Sequence, residues 1–380
     1  MIEPNGGKLI NRIIEDKDEI DNTINKNLKK IEITKDVLLD LESISHGVFS
    51  PLCGFPSIDE INSILDNWRL KDGTIFSIPP LFHVNQDDYD NVNIGEEIIL
   101  TYEKKPIGII KVDGKSEFDK LKFIQEIFKT VNLKHPGVAH INSINNHIIT
   151  GEIHTFGKLN YFFNTNSLTP LETRKEFDKR GWKNISIFST TNVPHRAHEH
   201  LHRIALEITD GLFIHALDLL SNQGYTKFNT ETIRGGYLAL IDNYYPKEKV
   251  LFTSFPFLAR SAGPREMILQ AVIRKNFGCS HFIVGRDHAG FGNVYGKYES
   301  QEIFKKFPDL DVQPIMINEP RYCKKCGHTV TEKNCGHEDQ DHEEISGTIV
   351  REKIKNKQEI SDDIMRKEVV DVLKKEFTNQ

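Results

Sequence analysis

The chain has 380 residues, with 49 Lys and Arg against 55 Asp and Glu, a net charge of −6 with histidine neutral. That balance argues against a broad basic face of the kind that neutralises nucleic-acid phosphates. A hydrophobic share of 38% beside 27% charged residues excludes a disordered polyelectrolyte. No apolar run approaches the roughly 18 residues needed to span a bilayer, and the opening MIEPNGGKLINR lacks the apolar core of a signal peptide. The expectation is a soluble, cytoplasmic chain of two or three domains with neither a membrane nor a nucleic-acid partner.

Short strand-like runs mark the first 165 residues or so: Thr74 to Ile78, Glu97 to Thr101, and Ile107 to Val112, the last followed by a turn at Asp113-Gly114. Helical periodicity appears over Ile58 to Leu70 and Glu117 to Val131. This part reads as a mostly β domain with a few helices. Its Gly47–Leu52 and His135–Val138 segments look structural on residue type alone.

The pattern changes at Thr169-Pro170, where Thr169 is placed to cap a helix over Leu171 to Arg180 with Pro170 at its first position. Strands then alternate with helices. The strands are Ile185 to Ser189, Leu212 to Leu217, Val250 to Ser254 and His281 to Val284. The intervening helices are Pro194 to Ile208, Thr230 to Asn243 and Gly263 to Asn276. Such alternation predicts βαβ units and a parallel sheet, whose ligands bind beyond the carboxyl ends of the strands. A charged helical tail over Ser346 to Glu376 is expected to cap this domain or to pack on a partner subunit.

Three clusters fall on those strand ends. Ser189 to His198 follows a strand and opens a helix, with His195 and His198 three residues apart and so on one face. A helix N-terminus favours phosphate, and two imidazoles there could donate to triphosphate oxygens as charge moves onto a leaving pyrophosphate. The alternative is a solvated helix start, since His200 and His202 follow closely. Gly285-Arg286-Asp287-His288-Ala289-Gly290 follows the strand Phe282 to Val284, either as a site or as a surface turn closed by an Arg–Asp pair. In Ala259 to Glu266, Arg260 or Arg265 could reach an anion, or Arg265 could simply pair with Glu266.

A fourth cluster is of another kind. Five cysteines are too few for a disulfide scaffold, yet Cys323, Cys326 and Cys335 crowd into thirteen residues. A C-x2-C knuckle with a second limb predicts a closed structural zinc site, completed by His342 through an easy loop, by His337 through a tight chelate, or less favourably by His328. Residues 321–344 hold four basic and six acidic groups, a net of −2, so a structural clamp is favoured over a nucleic-acid finger.

Together these motifs resemble ATP sulfurylase (sulfate adenylyltransferase), in its zinc-containing archaeal and bacterial branch. The similar segments are Gly47 to Phe55 (GVFSPLCGF), His135 to Ala139 (HPGVA), Thr190 to His198, Arg260 to Glu266, Gly285 to Gly290 and Ile345 to Arg351 (ISGTIVR), in the family's order. The resemblance implies an α/β protein: a PUA-like N-terminal β domain (1–168) and an HxGH-type nucleotidylyltransferase domain with a parallel sheet (169–320). A zinc-ribbon insertion (321–344) and a helical C-terminal segment (345–380) would follow. It implies conversion of ATP and sulfate to adenosine 5′-phosphosulfate and pyrophosphate with Mg²⁺, by a homodimer. By the same resemblance Thr190, Asn192, His195 and His198 form the catalytic loop, and Gly285, Arg286, Asp287 and His288 help hold ATP. The Ala289 backbone would meet sulfate.

Two departures fall on the sulfate half. The family's Gln and Arg are here Ser189 and Thr191, and a threonine cannot supply a guanidinium's charge or fork. Arg260 or another nearby cation is therefore expected to compensate in part. The alternatives are an adenylyltransferase for another oxyanion, or a silent paralogue serving as an interaction subunit.

Overall fold

The computed structural model describes residues 1–163, 166–219, 228–285, 289–292 and 294–378. The N-terminal part is built on a six-stranded mixed sheet. Its elements in chain order are β1 (Ile13–Ile14), α1 (Lys17–Asn25), β2 (Lys29–Glu32), α2 (Lys35–Ser45), β3 (Gly54–Phe55), α3 (Ile58–Asn67) and α4 (Gln86–Asn91). Then come β4 (Glu97–Tyr102), β5 (Lys105–Glu117), α5 (Lys120–Phe128), α6 (Pro136–Ser143) and β6 (His147–Phe156). The strands run β1-β6-β5-β4-β2, with β3 paired to β6.

Two expectations fail here. Thr74 to Ile78 forms only one bridge, from Ile75 to Arg69, closed by the Leu70 N–H to the Thr74 carbonyl at 2.8 Å and the Phe76 N–H to the Trp68 carbonyl at 3.0 Å, while Ile75, Phe76 and Ile78 are buried in the core. Asp113-Gly114 is no turn: β5 runs through it as a bulge, the register to β6 shifting between Val112 and Gly114. Thr150 Oγ1 donates to Asp113 Oδ1 there at 2.7 Å, and an extra residue of this kind bends a strand without ending it.

The second part alternates as its sequence predicts: α7 (Pro170–Lys179), β7 (Ile185–Thr190), α8 (Arg196–Ile208), β8 (Gly211–Leu219), α9 (Thr230–Tyr244), β9 (Val250–Phe257), α10 (Pro264–Phe277) and β10 (His281–Val284). A short α11 (Glu299–Glu302) and β11 (Gln313–Met316) follow. Thr169 and Glu172 close a reciprocal capping box at the start of α7. The five strands are all parallel, in the order β11-β10-β7-β8-β9. The chain leaves the central β7 in both directions, so the crevice between the β7 and β10 ends is the topological switch point.

Helix α10 lies between this sheet and the N-terminal part and is buried along all fourteen residues. Asn276 at its end donates to the Val48 and Ser50 carbonyls at 2.9 and 3.0 Å, and Ser77 donates to the Arg265 carbonyl at 2.7 Å. One apolar core therefore runs continuously from the N-terminal sheet to the underside of the parallel sheet. A second core lies on the opposite face, beneath α8 and α9.

β12 (Arg321–Cys323), β13 (His328–Val330) and β14 (His342–Glu344) form a separate three-stranded antiparallel sheet. The tail is two helices, α12 (Gly347–Lys355) and α13 (Lys367–Thr378), with α13 packed on α9. Between them Arg366 grips Glu199 of α8 through two hydrogen bonds of 3.0 and 2.7 Å, so the tail caps its own domain. No helix among the described residues is long and apolar enough to cross a membrane.

Candidate active site

A cleft of about 1220 Å³ opens between the two halves, over the carboxyl ends of the parallel strands. Its walls bring together Ser189 to Asn192, His198, Arg260, Gly285 and Ala289, which are far apart in sequence. Arg286, Asp287 and His288 lie outside the described residues.

The helix expected from Pro194 begins two residues later, and His195 is its cap rather than part of its first turn. Its Nδ1 accepts the His198 backbone N–H at 3.4 Å, so His195 does the work an Asn or Ser usually does at that position. This folds its ring flat onto that of His198, with centroids 3.8 Å apart. Burial pulls His195 down to about 4 and His198 well below the usual imidazole range. Both rings are therefore neutral near pH 7. Tyr237 of α9 meets His198 Nδ1 at 3.1 Å, and burial pushes its phenol well above the ordinary tyrosine range. With the phenol, the better donor, giving its proton to this imidazole nitrogen, the His198 proton is assigned to Nε2.

Asn192 is held from the tail. Arg351 Nη1 donates to its Oδ1 at 3.4 Å, and Arg351 Nη2 donates to Thr348 at 2.9 Å. Gly347 makes the room: a Cβ there would sit 2.6 Å from Asn192 Oδ1. The loop also braces itself, since the Asn192 N–H donates to Thr190 Oγ1 at 3.1 Å.

The arginines divide differently from either expectation. Arg260 lines the cleft, but its guanidinium is paired with buried Asp40 at 3.0 Å. Arg265 is buried and does not pair with Glu266; it donates to the Leu65 carbonyl at 2.7 Å and lies 4.4 Å from the Trp68 ring centroid. Glu266 instead accepts the Ala262 N–H at 3.0 Å, and burial raises its carboxyl to about 6. Ala289 has φ +59°, and its carbonyl accepts the Gly263 N–H at 2.9 Å, tying the loop after β10 to the start of α10.

The N-terminal part supplies a wall that the sequence did not reveal. His83 and His140 place Nε2 at 3.0 and 3.2 Å from the same oxygen of Asp36. Burial opposes ionisation of Asp36, but these two contacts outweigh it and hold the carboxyl far below its usual range. His135, expected to be structural, caps α6 and bonds through Nε2 to the Ser261 carbonyl at 3.0 Å, while Pro136 and Gly137 line the cleft. Nothing in the sequence around Tyr237 marks it as a partner of His198.

Cys323, Cys326, Cys335 and His337 offer four ligand atoms within 4.8 Å of one another. His337 Nδ1 lies 3.3, 3.3 and 3.4 Å from the three sulfurs in that order, and Cys326 Sγ lies 3.7 Å from Cys335 Sγ. A tetrahedron with metal–sulfur distances near 2.3 Å and metal–nitrogen near 2.0 Å has edges of about 3.5–3.8 Å, so the set fits one ion. The expected preference for His342 over His337 is not met by this geometry. His342 reaches Cys335 alone, at 3.3 Å, because β14 pairing fixes it opposite Cys323. The cluster can hold a metal such as zinc.

A parallel sheet with paired histidines at a helix start beside its switch point defines a nucleotidyltransferase-like α/β domain, preceded by a PUA-like domain. Residues 2–158 match the PUA-like family model, and residues 164–376 match that of ATP-sulfurylase. The chain belongs to the ATP-sulfurylase family. It is 40% identical over 373 residues to a protein named sulfate adenylyltransferase from Pyrococcus abyssi, covering 98% of this chain and 97% of that one. A protein of the same name from Persephonella marina is 38% identical over 397 residues, covering both chains fully. Among solved structures, the fold matches "Hexameric APS kinase from Thiobacillus denitrificans" with a TM-score of 0.75 at 20% identity, over 99% of this chain and 68% of that one.

Proposed function

We propose that this protein is a sulfate adenylyltransferase, converting ATP and sulfate to adenosine 5′-phosphosulfate and pyrophosphate. The observation that carries the reading is the stacked, neutral His195–His198 pair at the start of α8, where the triphosphate of a nucleotide at the switch point would lie. The full-length relatives bearing that enzyme's name support it.

In this reading a sulfate oxygen attacks the α-phosphorus in line, and pyrophosphate leaves toward α8. Little covalent chemistry falls to the protein, so positioning and charge stabilisation dominate. His198 donates from Nε2 to the departing oxygens, and His195 lies stacked beside it at the positive end of the helix. Thr190 and Asn192 shape the loop, with Arg351 fixing the Asn192 amide. Gly285, together with Arg286, Asp287 and His288, holds ATP, and Mg²⁺ enters as the nucleotide's counterion. Ala289 contributes its backbone to the sulfate side, with Arg260 at the rim.

We assign zinc to Cys323, Cys326, Cys335 and His337 as a structural ion that clamps the β12–β13 knuckle to the limb after it. The divisions 1–168, 169–320, 321–344 and 345–380, a homodimer and a cytoplasmic role in sulfate assimilation complete the proposal. The test is pyrophosphate release from ATP with sulfate, molybdate or phosphate as acceptor. Release with sulfate is expected, and no release with any acceptor refutes the reading. Release only with a different anion would favour the second reading, an adenylyltransferase for another oxyanion, for which the uncharged Thr191 speaks.

A further inference from the structure

Ser189, next to last in β7, lies on the floor of the cleft, and against it lies Arg274 of α10. Arg274 is fully buried, and its Nε and Nη2 both donate to Ser189 Oγ, at 3.1 and 2.9 Å. Its Nη1 is buried with no hydrogen-bond partner, and among the described residues no carboxylate pairs with this guanidinium. Aromatic rings of Phe255 and Phe282 flank it at 5.3 and 5.9 Å, and the fully buried His215 beside it is neutral. Burial lowers Arg274 only to about 10, so it remains a cation near pH 7.

An unpaired buried cation is expensive unless something negative comes to it. The serine shows from which side that happens. A hydroxyl has two lone pairs and one proton. The guanidinium takes both lone pairs, so the hydroxyl can act toward a third group only as a donor. Among the described residues Ser189 Oγ has no acceptor, and its open side is the cleft. Its O–H is thus a polarised donor backed by a full positive charge and presented to whatever occupies the cleft floor.

We propose that Ser189 and Arg274 form the subsite for the attacking oxyanion, with Ser189 donating to an oxyanion oxygen and Arg274 neutralising its charge through the hydroxyl. This rests on the adenylyltransferase reading. Arg260 is engaged by Asp40, and residue 191 is an uncharged threonine; the Ser189–Arg274 pair supplies positive charge to the acceptor from below the sheet end. The relay carries no rigid bidentate fork, so discrimination among tetrahedral dianions should be loose.

The test is steady-state pyrophosphate release by the full chain carrying Ser189→Ala, with sulfate varied at saturating ATP and then ATP varied at saturating sulfate. A hydrogen bond of this charge-assisted kind is worth roughly 10- to 100-fold. The expected result is a rise of that size in KM for sulfate with KM for ATP within twofold; Tm falls, because two buried guanidinium N–H groups lose their acceptor, and the ATP control separates that loss from the subsite's own. An unchanged KM for sulfate overturns the proposal, as does an equal rise for both substrates. Arg274→Gln combined with Ser189→Ala should add little to either alone if the two act as one unit; additive losses refute the relay. Should Arg274→Gln fail to fold, Ser189→Ala still decides. Should the unaltered protein release no pyrophosphate with any acceptor, the adenylyltransferase reading falls separately. Calorimetric titration of sulfate, in the presence of a non-hydrolysable ATP analogue, then tests the subsite by itself. Binding at least tenfold weaker in Ser189→Ala upholds it, and equal or absent binding to the unaltered protein overturns it.

Discussion

Replacing Tyr237 by phenylalanine removes one oxygen from the interior and nothing else. That oxygen lies 3.1 Å from His198 Nδ1, and the ring it leaves behind still stacks on Phe252, with centroids 5.4 Å apart. Because His198 is neutral near pH 7, one ring nitrogen carries a proton and the other does not, and the phenol selects which. Without it the proton can move to Nδ1, and the bare Nε2 then faces the triphosphate as an acceptor, repelling the oxygens it should stabilise. A hydrogen bond of this type contributes about 0.5–1.5 kcal/mol, and stranding the buried nitrogen costs about 1–3 kcal/mol. We therefore expect kcat for pyrophosphate release to fall about tenfold, equivalent to about 1.4 kcal/mol. KM for ATP and for sulfate should stay within about threefold, since the loss concerns the leaving group and not the bound ground state. A stability cost of 1–2 kcal/mol should lower Tm by about 2–8 °C in a domain of this size. A variant with native Tm and a kcat within twofold of the unaltered protein would refute the assignment of His198 Nε2 as the donor.

Three further outcomes are expected. The purified protein should carry one zinc per chain by atomic absorption, lost in Cys326→Ser and His337→Ala but kept in His342→Ala; zinc loss in the last variant alone would transfer the fourth ligand position. Gly347→Ala places a methyl 2.6 Å from Asn192 Oδ1 and should lower kcat by roughly tenfold or more through displacement of the loop after β7, and an unchanged kcat would detach α12 from the site. Stability should fall as pH drops from about 6.5 toward 4. Buried His46, His195 and His202, pulled to about 4, 4 and 3, stay neutral in the native state over that range while the unfolded chain takes up protons. Their contribution is complete above 6.5 and is lost at up to about 1.4 kcal/mol per pH unit for each. Glu42 and Glu266, raised to about 7 and 6, act in the opposite sense over the same range and offset part of the loss. Thermal melts from pH 7 to 5 check the sign; a Tm that rises on acidification would show that the carboxyls prevail.

What sequence could determine here was local or periodic. The alternation of apolar strands with helices placed β7 through β10, because burial on both faces leaves continuous apolar runs. Thr169, Pro170 and Glu172 fixed the start of α7 through bonds between near neighbours. Three cysteines in thirteen residues pointed to a metal cluster, since short loops keep ligands close whatever the rest of the chain does. The same logic broke where a long-range partner decides. Thr74 to Ile78 has a strand's composition but packs without a ladder, and β5 crosses a turn dipeptide because β6 holds it there.

The net charge of −6 rules against a polyanion surface, and the run His195 to Arg203 marks where a small anion could sit. Neither could say which cations are free to meet it. That depended on distances of tens or hundreds of residues: Arg260 spent on Asp40, Arg265 turned onto Trp68, and Arg274 delivered unpaired beneath Ser189. Sequence names the charged groups, but only tertiary packing sets how many partners each has and how much water reaches it, and those two quantities decide what a charge can do.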